Sequence, residues 1–168
     1  SDGRLGASTF FTDRDVSRLN AEEVRWGPTQ PDELPQPPFE ITKPKLEGKT
    51  PGFFVRDAQD RRYLIKFDPP DAPELLSGAE VVSSKLLAAL GYHVPSYEVI
   101  DVVPEAFHVG ADAAAPEGRG HHPLTRETVQ HLLEPRLRDW TVRAVASRLV
   151  DGEILGPARF KRFRDCAE

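Results

Sequence analysis

An α+β fold, with a mainly antiparallel sheet of about five strands and one principal helix behind a proline-rich extended segment, is what this sequence predicts. Three stretches carry the prediction. "GFFVRDAQDRRYLIKFD" places two apolar, aromatic and β-branched runs on either side of a polar turn, which marks a hairpin. "PELLSGAEVVSSKLLAALGYHVP" repeats apolar residues every three to four positions, the period of an amphipathic helix. "SYEVIDVV" is rich in β-branched residues and reads as a further strand.

Along the chain, residues 1–39 are the least organised. "STFFTDRDVSRLNAEEVRW" predicts one short helix capped by Asp13 or Asp15. Prolines at 28, 31, 35, 37 and 38 then fix φ and remove donors, so the segment reads as an extended strap or a surface tail. The folded lobe is expected over 40–160 and a short basic tail over 161–168. Within the lobe, strands fall at about 52–57 and 62–68, and "PPDAPE" separates them from the helix. In that helix Leu75, Ala79, Val82, Leu86 and Leu90 form the stripe expected to face the core, with Gly91 as C-cap and Pro95 beyond it. Glu80 lies at the border of that stripe. "PEAFHVGADAAAPEGRGHHP" is a loop by composition, and "LTRETVQHLLEPRL" is a short helix capped by Thr125 and stopped near Pro135. "WTVRAVASRLVDGEILGPARF" reads as two closing strands turned at Asp151 and Gly152.

Composition excludes several function classes. The 168 residues, 39% hydrophobic and 29% charged, suit one core and one domain. A formal charge of −5 and an isoelectric point near 5.6 leave a basic cluster only near Arg159–Arg164, so nucleic acid is not expected as a partner. No apolar run approaches the roughly 20 residues of a membrane-spanning helix, so a soluble chain without a membrane span is expected. The lone Cys166 excludes an internal disulfide. Methionine is absent, which predicts either a removed initiator or leader, or a piece of a longer product; an exported form is thus compatible, and the compartment stays open. His121 and His122, with His93, His108 and His131, lack the spacing of metal ligands, so no metal site is assigned. No GxSxG motif occurs and Cys166 has no histidine beside it, so no catalytic residue is assigned. Trp26 and Trp140 are expected as packing anchors.

The most informative feature is Lys66, an ammonium in the middle of the apolar strand "YLIKF". Burying it is costly unless a counter-charge meets it, and Glu80 on the next helix is the candidate. By pattern alone Lys66 could equally snorkel to a sheet edge and Glu80 pair with an arginine. "GKTPG" ahead of the hairpin contains Gly48, Lys49, Thr50 and Gly52 but lacks Walker spacing. A glycine-bearing hairpin, a strand lysine and a helix acid in that order match the first lobe of kinase-like folds, where the lysine holds nucleotide phosphates and the acid orients it.

The blocks "PGFFV", "YLIKFD", "GAEVVSSKLLAALGYHVP" and "RAVASRLVDGEILGP", over roughly residues 40–160, resemble bacterial HipA-like proteins, within the atypical kinases that also include the type II phosphatidylinositol 4-kinases. The resemblance implies a kinase first lobe that binds ATP with Mg. Gly48, Lys49, Thr50 and Gly52 would cover the phosphates, Lys66 would contact them and Glu80 would hold Lys66, while Ala146–Arg148 would approach the adenine hinge. It implies a cytoplasmic setting if ATP is used. The catalytic aspartate, asparagine and Mg-holding aspartate would belong to a second lobe. Asp165 lies too near the end of the chain and Asp151 reads as a turn residue, so this chain alone is predicted to be inactive. Its expected partner is a second kinase-like lobe or another chain covering the open hinge face; the alternative is a non-catalytic interaction subunit, a pseudokinase-like scaffold.

Overall fold

The computed structural model describes residues 8–46, 50–111, 113, 124–150 and 152. The sequence-predicted second strand and turn at Asp151, the basic tail, Cys166, His121 and His122 lie outside them. Over these residues the fold is α+β, with seven strands in a mostly antiparallel open sheet and three α-helices.

The hairpin forms where its pattern requires it, β2 at Gly52–Arg56 and β3 at Arg62–Phe67. Two strands were not foreseen on its flank: β1 at Phe39–Pro44 pairs antiparallel with β2, and the short β5 at Phe107–Val109 pairs parallel with β1. On the other side of β3 lie β7 at Thr141–Arg148 and then β4 at Tyr97–Val102, while the two-residue β6 at Leu137–Arg138 pairs with β7. The sheet order is thus β4-β7-β3-β2-β1-β5.

Period-two alternation builds the core on one face of this sheet. Phe39, Ile41, Phe53, Val55, Tyr63, Ile65, Phe67, Val142, Ala144 and Ala146 all point there. Val129 and Leu133 from α3, Arg126–Leu133, close it, and Thr125 caps that helix as its sequence predicts. Trp140 is no packing anchor. It sits with Asp139 in the tight turn between β6 and β7, both at positive φ, and is 84% exposed.

The proline-rich segment is fastened to the β2–β3 turn. Asp57 in that turn has a fully buried carboxylate that accepts bonds from the backbone of Gln36, Gln59 and Arg61 and from the Arg61 guanidinium. Burial pushes the Asp57 carboxyl up, but the Arg61 side chain and these backbone donors outweigh it and hold it below its ordinary range. Arg61 in turn donates to the carbonyls of Asp32 and Leu34, and Tyr63 Oη donates to Glu33 O at 2.6 Å. Ahead of the strap, Asp15 caps only a single 3₁₀ turn; the helix α1, Ala21–Trp26, is capped by Asn20 instead. Asn20 and Glu23 form a reciprocal capping box, which decides the start in its favour.

Helix α2, Leu75–Ala89, lies on the face of the sheet opposite the core, across β4 and β7. Its orientation corrects the sequence expectation. The buried side carries Ser77, Ser84, Ala88 and Ala89, whereas Leu75, Val82, Leu86 and Leu90 of the expected core stripe are 51–63% exposed. Beneath α2 the sheet face carries Val145 and Tyr97 beside Lys66, and Asp68 just past β3 bonds the first turn of the helix, so the side turned inward must meet two charges as well as apolar neighbours.

Candidate functional site

The candidate site begins with β3. Because strand side chains alternate, Lys66 faces away from the core, toward α2. Gly52 is its partner across β2 and Val145 its partner across β7. The Lys66 ammonium forms an ion pair with Glu80 of α2 and stands 5.2 Å above the Tyr97 ring of β4. Glu80 Oε2 is sealed from solvent and accepts no further hydrogen bond, which leaves the Lys66 charge to compensate it. Lys66 is 11% exposed and Glu80 31%, so the pair is sheltered and retains access to solvent through Glu80. The pairing that sequence pattern left open is therefore between these two residues.

On this face helix α2 packs against β4 and β7. Beside it, Phe54 of β2 and Leu64 of β3 are directly opposite one another and half-buried, forming an apolar shelf next to Lys66. Lys43 of β1 flanks the shelf with its ammonium 4.5 Å above the Phe54 ring. Sequence reasoning missed Phe54 and Leu64 as site candidates, although each is two positions from a named residue and so shares its face. The arrangement sets an apolar surface beside a held cation, able to contact an aromatic group and an anionic group of one ligand, while the cleft beyond Asp68 lies elsewhere.

The other expected residues divide. Thr50 enters the hairpin, and its carbonyl accepts a 2.7 Å bond from Lys45 Nζ. Gly52 belongs to β2 itself: a Cβ there would meet Ile65 O at 2.4 Å, so packing of β2 on β3 already requires glycine. Gly48 and Lys49 lie outside the described residues. At the far end of β7, Ala146 is in the core, Ser147 lies on the Lys66 face opposite Leu64, and Arg148 is ion-paired with Glu33 of the strap.

Asp68 is the residue whose role the sequence did not reveal. It is 6% exposed, two positions beyond Lys66, and it caps α2 from outside the helix. Its carboxylate accepts from the backbone N–H groups of Glu74, Leu76 and Ser77 at 2.8–3.0 Å and from Ser77 Oγ at 2.6 Å. A carboxylate there satisfies orphan donors of the first turn and meets the positive end of the helix dipole. A cleft of about 340 Å³ lies beyond Asp68, lined by Pro69, Glu74, Arg136 and Arg143 among others, and Lys66 is not part of its wall.

Among the described residues no group of three or more His, Cys, Asp or Glu converges as metal ligands would, and no helix is long and apolar enough to cross a membrane. His93 holds the N-terminal segment instead, between Thr9 O and Thr12 Oγ1, while His108 is in β5 and His131 in the last turn of α3. No family model, no curated protein and no solved structure matches this chain.

Proposed function

We propose that this chain is a nucleotide-binding lobe of a kinase-like protein, and that Lys66 grips the phosphates of Mg·ATP while Glu80 keeps its ammonium extended. The observation that carries the reading is the Lys66–Glu80 ion pair between the third strand and the helix that follows it, beside the half-buried apolar pair Phe54 and Leu64. A lysine suits the task because it is a flexible point charge able to reach phosphate oxygens, and the carboxylate holds it in place when no nucleotide is present. Phe54 and Leu64 would take the base, with Thr50 and Gly52 at the phosphate end of the hairpin. Phosphoryl transfer would need Mg-holding and base residues from a second lobe, docked against the open face beside β7; this chain by itself would bind without catalysing.

A second reading is a non-catalytic interaction subunit that keeps the lobe as a building block. The exposed leucines and valine on the outward side of α2 favour it, since clustered apolar side chains on a surface mark contact sites. Calorimetric titration with Mg·ATP, on the wild type, Lys66→Ala and Lys66→Met, separates the two. The nucleotide reading expects binding that both folded variants lose. A folded wild type without binding, tested also with a candidate second lobe added, would transfer the weight to the interaction reading.

A further inference from the structure

We propose that Asp68 and Ser77 are positioning residues, which hold Glu80 against Lys66 by clamping β3 and α2 together one helical turn away from the ion pair. Lys66 and Asp68 are two residues apart at the end of one strand and so project to the same face. Ser77 and Glu80 are three apart on one helix and are neighbours on its surface. The contacts therefore form a ladder of two rungs, Lys66–Glu80 and Asp68–Ser77, with the helix running back along the strand. Two residues of strand span roughly 6.7 Å and three residues of helix rise about 4.5 Å, close enough for both rungs to close across an inclined crossing.

The second rung is the stronger built. Asp68 takes four hydrogen bonds from the first turn of α2, and Ser77 is 1% exposed. The cap residue of the helix, Glu74, makes no side-chain capping bond and stands at a φ of 69°, so Asp68 supplies what the local sequence lacks. From the other side Arg143 Nε donates to Ser77 Oγ at 3.3 Å, and Arg136 Nε donates to the Asp68 carbonyl at 2.8 Å. Glu80, by contrast, is one-third exposed and among the described residues is met by Lys66 alone, which would not by itself stop it turning to solvent. The placement of Glu80 is thus set from Asp68, through Ser77 and one turn of helix.

The functional consequence rests on the nucleotide-binding reading, but the clamp can be measured without nucleotide. Brief acetylation with acetic anhydride, read by mass spectrometry, reports the accessibility of each lysine in the same molecule. Lys85 is the internal reference, because it is also on α2 and is paired with Glu98 at 2.6 Å. Asp68→Ala is expected to raise Lys66 labelling roughly tenfold and Ser77→Ala roughly fivefold, with Lys85 unmoved. Asp68→Asn, which keeps an acceptor, should recover part of the protection.

Unchanged Lys66 labelling in a folded Asp68→Ala variant overturns the clamp, and so does an equal rise at Lys66 and Lys85, which would mean that α2 has simply come loose. If Asp68→Ala does not fold, Ser77→Ala decides by the same two criteria. A wild type that fails to bind Mg·ATP, alone and with a candidate second lobe, while Asp68→Ala still exposes Lys66 overturns the nucleotide reading and supports the clamp. A wild type that binds, with a folded Asp68→Ala variant binding equally tightly and labelled as the wild type, overturns the clamp alone.

Discussion

Replacing Gly52 with alanine tests whether this glycine is present for the sheet or for a ligand. The Cβ would lie 2.4 Å from the carbonyl oxygen of Ile65 and 3.2 Å from Lys66 Cα, so about 1 Å must open between β2 and β3. Neither atom belongs to a side chain that can swing aside, and β3 is held from the other side by its pairing with β7. Overpacking of this kind costs about 1–3 kcal/mol, while alanine for glycine returns about 0.4–1 kcal/mol by restricting the unfolded chain. Taken at the middle of both ranges the net loss is about 1.3 kcal/mol, which should lower Tm by about 3–5 °C for a chain of this length, checked by urea and thermal melts monitored by circular dichroism. On the proposed nucleotide-binding function, the displaced strand should also weaken Mg·ATP binding, since Lys66 is the pairing partner of Gly52. A variant as stable as the wild type would refute the packing argument. If that variant also lost nucleotide affinity, the glycine would have to be explained by close approach of phosphate.

Three further outcomes are expected. Asp57→Asn removes a buried charge from Arg61 and should cost about 2–3 kcal/mol at neutral pH. Because the folded Asp57 carboxyl lies below its ordinary value of 3.8, its contribution is complete above that value and lost as pH falls through the folded one; urea midpoints below about pH 4 should therefore fall more steeply in the wild type than in the variant. Leu86→Ser on the outward side of α2 should change stability by less than about 0.5 kcal/mol, whereas Leu133→Ala in the core should cost about 2–5 kcal/mol; a large cost for Leu86→Ser would mean that the helix stripe is buried after all. Tyr63→Phe should lose about 1 kcal/mol and release the strap, seen as faster amide exchange near Glu33.

The elements written into the sequence by local rules were legible there. The β2–β3 hairpin, α2, β4 and α3 with its Thr125 cap depend on period, turn residues and capping, which neighbouring residues decide. β1 and β5 were hidden for a different reason. Phe39–Pro44 sits among prolines, and its parallel partner is the three-residue Phe107–Val109, far along the chain, so the pairing has no local signal. The orientation of α2 is the instructive failure. Periodicity shows that a helix has two unlike sides but not which one turns inward, and the usual assumption that the apolar side is buried fails when charged groups beneath the helix must be met. Here β3 presents Lys66 in its outward row, with Asp68 two residues on. Each would carry an uncompensated desolvation cost under a row of leucines. Turning Ser77 and Glu80 inward supplies a hydroxyl for one and a carboxylate for the other. Lys66, Asp68, Ser77 and Glu80 could thus have been read together from spacing: two charges at i and i+2 of a strand, then a hydroxyl and an acid at i and i+3 of the next helix, specify a polar contact between them. The apolar stripe is left outside as a consequence, and the exposed leucines of α2 and the sheltered ion pair beneath it follow from one choice of helix orientation.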